Sequence, residues 1–264
     1  PRRDSQSRAH PSTHWQTRKM TAADNAKPPP PNAPTNPVIN ERRVARLWPV
    51  VSASGALILV AALAGVIFYR ENNKPFGFEL EWMSEIVENR SPFWTAPALV
   101  FNALGGGVLA SLVVPLLIIA ALIVWRRPWS ALYFALATAL SAGIVQLLKV
   151  VMDRPRPTDP LVQPDFGSFP SGHSANAAVM AVTLGIIFGR WWVWAIGGVY
   201  TVAMMISRTY LGAHWISDTV GGALVGAGVA IILWAPFAYR LFRERWKPHG
   251  PLWKHGPVEP RQAS

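Results

Sequence analysis

The 264-residue sequence contains no cysteine. That absence excludes disulfides, thiolate metal sites and a cysteine nucleophile, and it leaves the redox compartment unread. Charge is scarce as well: 15% of residues are Asp, Glu, Lys or Arg, where a soluble domain carries about a quarter. Acidic residues are the scarcer sign, 14 against 25 basic, for a formal charge of +11. Such an excess would suit nucleic acid, but +10 of it lies in residues 1–46 and 240–264. The body between them needs no basic groove, and nucleic acid is not expected as a partner.

What the chain does have is apolar surface, 51% hydrophobic residues with 13 Trp. Residues 1–46 stand apart as polar and proline-rich, with Pro28 to Pro31 consecutive, and are expected to form a disordered basic cytoplasmic arm. Met20 reads as the natural start, and residues 1–19 are assigned no function. Arg42-Arg43 resembles a twin-arginine export signal, but the chain beyond it is not a single cleavable segment.

From Leu47 onward long apolar runs alternate with short polar breaks, and a bilayer core of about 30 Å needs roughly 20 apolar residues per helix. Six runs qualify: Leu47 to Tyr69, Pro97 to Trp125, Trp129 to Val150, Gly172 to Gly189, Trp191 to Ser207 and Trp215 to Tyr239. The expected fold is all-α, a polytopic six-transmembrane-helix bundle over residues 47–240 with a basic cytoplasmic tail at 241–264. Ala135, Ala137, Ala139 and Ser141 in the third run, and Gly222 and Gly226 in the sixth, suit close helix contacts. Tight turns are expected at Arg126-Arg127 and Arg190. These turns and both tails carry the Lys/Arg excess, whereas residues 70–96 hold five Glu against three basic residues. The positive-inside rule then puts both termini in the cytoplasm. Between Pro75 and Trp94 the alternation of aromatics with Glu reads as an interfacial helix, with a lid as the alternative.

Ionisable residues at span ends stand out, because charge near hydrocarbon is costly and is usually retained for a task. They form three blocks: Lys149 with Arg156-Pro157, then Pro170-Ser171-Gly172-His173, then Ser207-Arg208 with His214 and Asp218. Alternating topology places all three at the extracytoplasmic face. Lys149, Arg156 and Arg208 are three cations with Asp218 as the nearby anion, which implies an anionic ligand, and arginine forks match phosphate oxygens. Ser171 and Gly172 open a helix whose free N–H groups favour phosphate. His214 and Asp218 are four apart, hence on one helix face, so the carboxylate can hold one ring nitrogen and leave the other as a nucleophilic lone pair. His173 is then placed to protonate a leaving oxygen. Singly, each residue has a plainer reading: snorkelling for the basic residues, helix capping for Ser171 or Asp218. Together, eight specified residues at fixed internal spacing arise by chance on the order of once in 10^10 placements at about 5% per residue. Asp153, Asp159 and Asp165 show no such pattern and read as solvated loop charges.

The three blocks resemble the signature motifs of the type 2 phosphatidic acid phosphatase superfamily, which includes bacterial lipid phosphatases, glucose-6-phosphatase and the vanadium haloperoxidases. The resemblance covers roughly residues 95–240. It implies a six-helix membrane bundle in which His214 attacks phosphorus to form a phosphohistidine, Asp218 orients it and His173 is general acid. Lys149, Arg156, Ser171, Gly172, Arg208 and Ser207 would hold the phosphoryl oxygens. It implies no cofactor and no metal, with three cations available for transition-state charge. The expected activity is metal-independent hydrolysis of a lipid phosphomonoester or pyrophosphate at the outer face of the plasma membrane. Undecaprenyl pyrophosphate and related polyprenyl phosphates rank ahead of phosphatidic acid and phosphatidylglycerol phosphate. A lipid phosphotransferase using the same intermediate is the alternative. A haloperoxidase is disfavoured by the six apolar runs. An anion transporter is disfavoured because the charges gather at one face and no broken span shows at mid-membrane.

Overall fold

The computed structural model describes residues 74–163 and 165–246, with Gly55 and Ile58 as isolated positions. The basic arm, the first apolar run from Leu47 to Tyr69, save those two positions, and residues 247–264 lie outside the described residues. Those that are described form helices and no strand: α1 (Gly77–Glu88), α2 (Pro92–Gly105), a π-helical turn (Leu109–Val113) leading into α3 (Val114–Val124), α4 (Pro128–Met152), α5 (Gly172–Phe188), α6 (Trp191–Tyr210) and α7 (Ile216–Trp246).

The helix ends follow from local chemistry. Pro92 and Pro128 stand in the first turns of α2 and α4, where no N–H is needed. The α4 start is capped from afar: the Glu244 carboxylate accepts from the backbone N–H groups of Trp129 (2.7 Å) and Ser130 (3.0 Å). Gly189, with φ of 60°, closes α5 in the left-handed conformation. Turns at Arg126-Arg127 and Arg190 make α3–α4 and α5–α6 adjacent, as the sequence predicts.

Helix α5 is central and packs against α4, α6 and α7. Gly222 and Gly226 allow the closest approach: a β-carbon at either would collide with the α5 carbonyls of Ser171 and Ala175. Ala137 is buried in the helix contact, whereas Ala135, Ala139 and the buried Ser141 line a cavity. Leu132, Leu136 and Leu140 form an exposed apolar stripe at i, i+4 spacing on α4. Exposed Trp125, Trp129, Trp191 and Trp192 gather at the turn end, and Phe78, Trp82, Phe93 and Trp94 lie on α1 and α2, the placement expected of membrane-interface aromatics.

Among the described residues two helices, α4 and α7, are each long and apolar enough to cross a membrane, and the α2–α3 pair makes a third candidate. That pair corrects the sequence expectation. The second apolar run is two helices rather than one, bent by 46° between Gly105 and Leu109, the form of a broken span or of a re-entrant loop. The break falls at Gly106-Gly107, where Gly107 has φ of 65°, and one argument against a transporter is thereby lost. Helix α7 continues past Tyr239 to Trp246, so the expected tail boundary at 241 falls inside a helix.

Candidate active site

The three blocks converge at the end of the bundle opposite the Arg126-Arg127 and Arg190 turns. Lys149 lies in the last turn of α4, His173 in the first turn of α5, Arg208 in the last turn of α6, and Asp218 in the first turn of α7. Arg156 comes from the loop after α4, and His214 from the short connection between α6 and α7. His214 therefore does not share a helix with Asp218, contrary to the sequence expectation. A cavity of about 690 Å³ is lined by Lys149, Asp165, Gly172, His173, Arg208 and His214 at its polar part. It is lined also by Leu112, Leu116 and Ile119 beyond the break and by Ala135, Ala139 and Ala142 of α4.

The His214 ring is nearly fully buried, 2% exposed, and its tautomer follows from its neighbours. Nδ1 lies 2.8 Å from the Ser168 carbonyl, which can only accept, while Nε2 lies 3.4 Å from Arg156 Nη1, which can only donate. Nδ1 therefore carries the hydrogen, and the Nε2 lone pair is on the side of the cations. Asp218 Oδ2 is 3.7 Å from Nδ1 and acts on the ring by charge rather than by a hydrogen bond. This amends the expectation that Asp218 itself holds the ring nitrogen. Burial drives the His214 pKa down to about 4; Asp218 resists the shift, and Arg156 and Arg208 add to it.

Asp218 is itself fully held. Its carboxylate accepts from Arg154 Nη1, from Ser168 Oγ and, at 2.8 Å, from the Trp215 backbone N–H. Arg156 donates to the carbonyls of Ala213 (2.6 Å) and Gly167 (2.8 Å), and Arg208 donates to Asn102 Oδ1 across from α2. His173 Nε2 is buried without a hydrogen-bond partner among the described residues, and a β-carbon on Gly106 would occupy its position. The glycine at the break thus leaves room for the imidazole.

Two expected phosphate ligands are turned elsewhere. Ser207 Oγ donates to the Ala98 carbonyl (3.1 Å), tying α6 to α2. Ser171 is fully buried, and its hydroxyl accepts from the Ser174 N–H (3.4 Å) as the α5 cap. Two expected loop charges are engaged. Asp159 pairs with Arg90 at 2.8 Å. Asp165 bridges Lys149 Nζ (2.7 Å) and Arg156 Nη2 (2.5 Å). Burial works against charge on Asp165, but Lys149 and then Arg156 hold its carboxyl below the usual range. Only Asp153 has no pairing of this kind among the described residues. The sequence reading missed Glu79, Arg154, Ser168 and Asn102; Arg154, two residues before Arg156 inside the first block, was the one with a signal.

Among the described residues no group of three or more His, Asp or Glu is placed to hold a metal ion. Residues 130–242 match the family model described as the PAP2 superfamily. Over 129 residues the chain is 33% identical to phosphatidylglycerophosphatase B of Bacillus subtilis, covering 44% of this chain and 64% of the relative. Over 78 residues it is 35% identical to an undecaprenyl-diphosphatase of Sulfolobus acidocaldarius, covering 30% of this chain and 34% of the relative. The matches thus span less than two thirds of either relative. The crystal structure of a transmembrane PAP2-type phosphatidylglycerolphosphate phosphatase from Bacillus subtilis superposes with a TM-score of 0.57 at 27% identity, covering 76% of this chain and 98% of that one. The motif blocks, the helical frame around them and these likenesses agree: residues 130–242 of this chain are similar to the PAP2 superfamily, and the helices around them are similar to those of a transmembrane PAP2-type phosphatase.

Proposed function

We propose that the chain is an integral-membrane lipid phosphate phosphatase, hydrolysing a phosphomonoester or terminal pyrophosphate through a phosphohistidine. The observation that carries this reading is the His214 Nε2 lone pair, fixed by the Ser168 carbonyl and turned toward Arg156 in a cavity shared with Lys149, Arg208 and His173. Nε2 attacks phosphorus and the bond to the lipid oxygen breaks, that oxygen leaving with a proton from His173. Water then attacks the phosphohistidine and gives its proton back to His173, the P–N bond breaks, and inorganic phosphate leaves. Arg156, Lys149, Arg208 and the Gly172 N–H stabilise the charge on the equatorial oxygens; Ser171 serves by shaping the α5 start. The Asp218 charge supports the imidazolium that forms on attack. The apolar walls of the cavity, Leu112, Leu116 and Ile119, suit a lipid chain. Substrates of the polyprenyl pyrophosphate, phosphatidic acid and phosphatidylglycerol phosphate class fit this description, with polyprenyl pyrophosphates ranked first.

The proposal includes six spans, both termini in the cytoplasm and the site at the extracytoplasmic face of the plasma membrane. The test is phosphate release from a panel of polyprenyl pyrophosphate, phosphatidic acid, phosphatidylglycerol phosphate and a soluble sugar phosphate, in detergent with EDTA. Release from a lipid phosphate, abolished in His214→Ala, is expected; release from none, or release that EDTA stops, overturns the reading. Single cysteines at Asp159 and Arg190 test the topology in intact cells. Labelling by an impermeant thiol reagent is expected at the first and not at the second.

A further inference from the structure

Behind the site, the side of His214 away from the cavity is backed by a chain of alternating charge. Asp218 Oδ2 lies 3.7 Å from His214 Nδ1, Asp218 Oδ1 accepts from Arg154 Nη1, and Arg154 Nη2 donates to Glu79 Oε2 at 2.8 Å. All three outer members are nearly fully buried, with Asp218 at 0%, Glu79 at 1% and Arg154 at 4% exposure. Ser217 cross-links them. Its hydroxyl accepts from Arg154 Nη1 (2.7 Å) and donates to Glu79 Oε1 (2.6 Å), and its N–H donates to the same Glu79 oxygen (2.8 Å). Glu79 also accepts from the Phe76 N–H at 2.8 Å, which fastens the start of α1. On this helix Glu79 and Met83 face inward, while Phe78, Leu80 and Trp82 are exposed.

Charged groups are buried where they are paired, and each pairing here changes what the next one does. Arg154 alone would cancel much of the field with which Asp218 favours a positive charge on His214. Glu79 offsets Arg154, so the chain presents a net negative charge to the ring. The other groups facing His214 are Arg156 and Asp165 from the loop, Arg208 from α6, His173 from α5 and Lys149 from α4. Most of these are cationic, so the negative charge behind the ring is what counters them when the imidazolium develops.

We propose that Glu79 and Arg154 are positioning residues of this site: through Arg154, the one buried carboxylate of α1 fixes the Asp218 carboxylate behind His214 and sets the charge that His214 meets. The inference rests on the phosphatase reading above. It gives α1 a part in the reaction beyond lying at the membrane surface.

The experiment compares wild type, Glu79→Gln, Glu79→Asp and Glu79→Gln/Arg154→Gln, each purified whole in detergent, with p-nitrophenyl phosphate and phosphatidic acid as substrates and a thermal melt to establish folding. Glu79→Gln is expected to lower kcat about tenfold with KM within about twofold, and to move the acid limb of kcat to lower pH by about half a unit. Adding Arg154→Gln moves the limb back up. Glu79→Asp keeps the wild-type limb with an intermediate kcat. A merely structural role lowers kcat equally for Gln and Asp and leaves the limb where it was, and that result overturns the inference; so does a limb that moves up in Glu79→Gln. A wild type that hydrolyses neither substrate, nor any member of the lipid panel, overturns the phosphatase reading and this inference with it. A wild type that is active beside an unchanged Glu79→Gln overturns this inference alone.

Discussion

The carboxylate of Asp165 lies 2.7 Å from the ammonium of Lys149, and its other oxygen reaches Arg156. A loop side chain that is half exposed thus sits on two of the three cations proposed to bind phosphate, as an internal anion in the place where an external one would bind. The proposed ligand must displace it or share its partners.

Removing the charge without the shape tests that competition. In Asp165→Asn, inorganic phosphate or orthovanadate is expected to inhibit about tenfold more tightly, roughly the effect of one unit charge in a partly shielded site. Inhibition constants at fixed ionic strength measure it. Weaker inhibition in the variant would mean that Asp165 holds Lys149 and Arg156 in place rather than competing for them.

The two histidines are expected to separate by leaving group. His214→Ala should abolish turnover and any trapped phosphoenzyme on every substrate. His173→Ala should cost a lipid phosphate at least about a hundredfold while sparing p-nitrophenyl phosphate, whose phenol leaves without protonation. Equal losses on both substrates would remove His173 from the general-acid role.

Gly106 and Gly107 are adjacent but should fail differently. Gly106 has an extended backbone, with φ of −135°, that any residue adopts, yet a β-carbon there runs into the His173 imidazole. Gly107 has φ of 65° and nothing near its β position. Gly106→Ala is expected to reduce kcat more than about tenfold with little change in melting temperature. Gly107→Ala should lower the melting temperature by a cost of about 1 kcal/mol while the folded enzyme keeps its kcat. Parallel melting curves and kinetics check the pair, and the opposite pattern would place the strain at the wrong glycine.

The residues proposed to bear the chemistry are legible because they stand at fixed spacing in short segments, and the structure brings them to one cavity end: Lys149 with Arg156, Gly172 with His173, Arg208 with His214 and Asp218. Their supports were not legible, because these come from distant turns of the chain and carry no local pattern. Asn102 reaches Arg208 from α2, and Glu79 reaches Arg154 from α1. Asp165 looked like a solvated charge because sequence gives no sign of where a long loop returns. The apolar run through Gly106-Gly107 likewise looked continuous, since hydropathy averages over a break of three residues. Ser207 and Ser171 fell beside the cations in sequence, but helix geometry turned one to the Ala98 carbonyl and the other to its own helix cap.

The buried state of His214 leaves a signature in stability. Its pKa in the folded protein is about 4, below the value of about 6.5 for an unfolded histidine. As pH falls through 6.5 the unfolded chain takes up a proton that the native ring refuses, so acid favours unfolding. The contribution is therefore fully present above about pH 6.5 and is lost progressively down to about pH 4. His214→Asn removes the titration while its amide N–H can still donate to the Ser168 carbonyl. Its melting temperature in detergent should lie below that of wild type at pH 7.5, and the gap should close as pH approaches 4.5. Thermal melts of the two proteins across that range measure it directly. A gap that stays constant would show that the ring is not held neutral by burial, and the lone pair assigned to Nε2 would lose its physical basis.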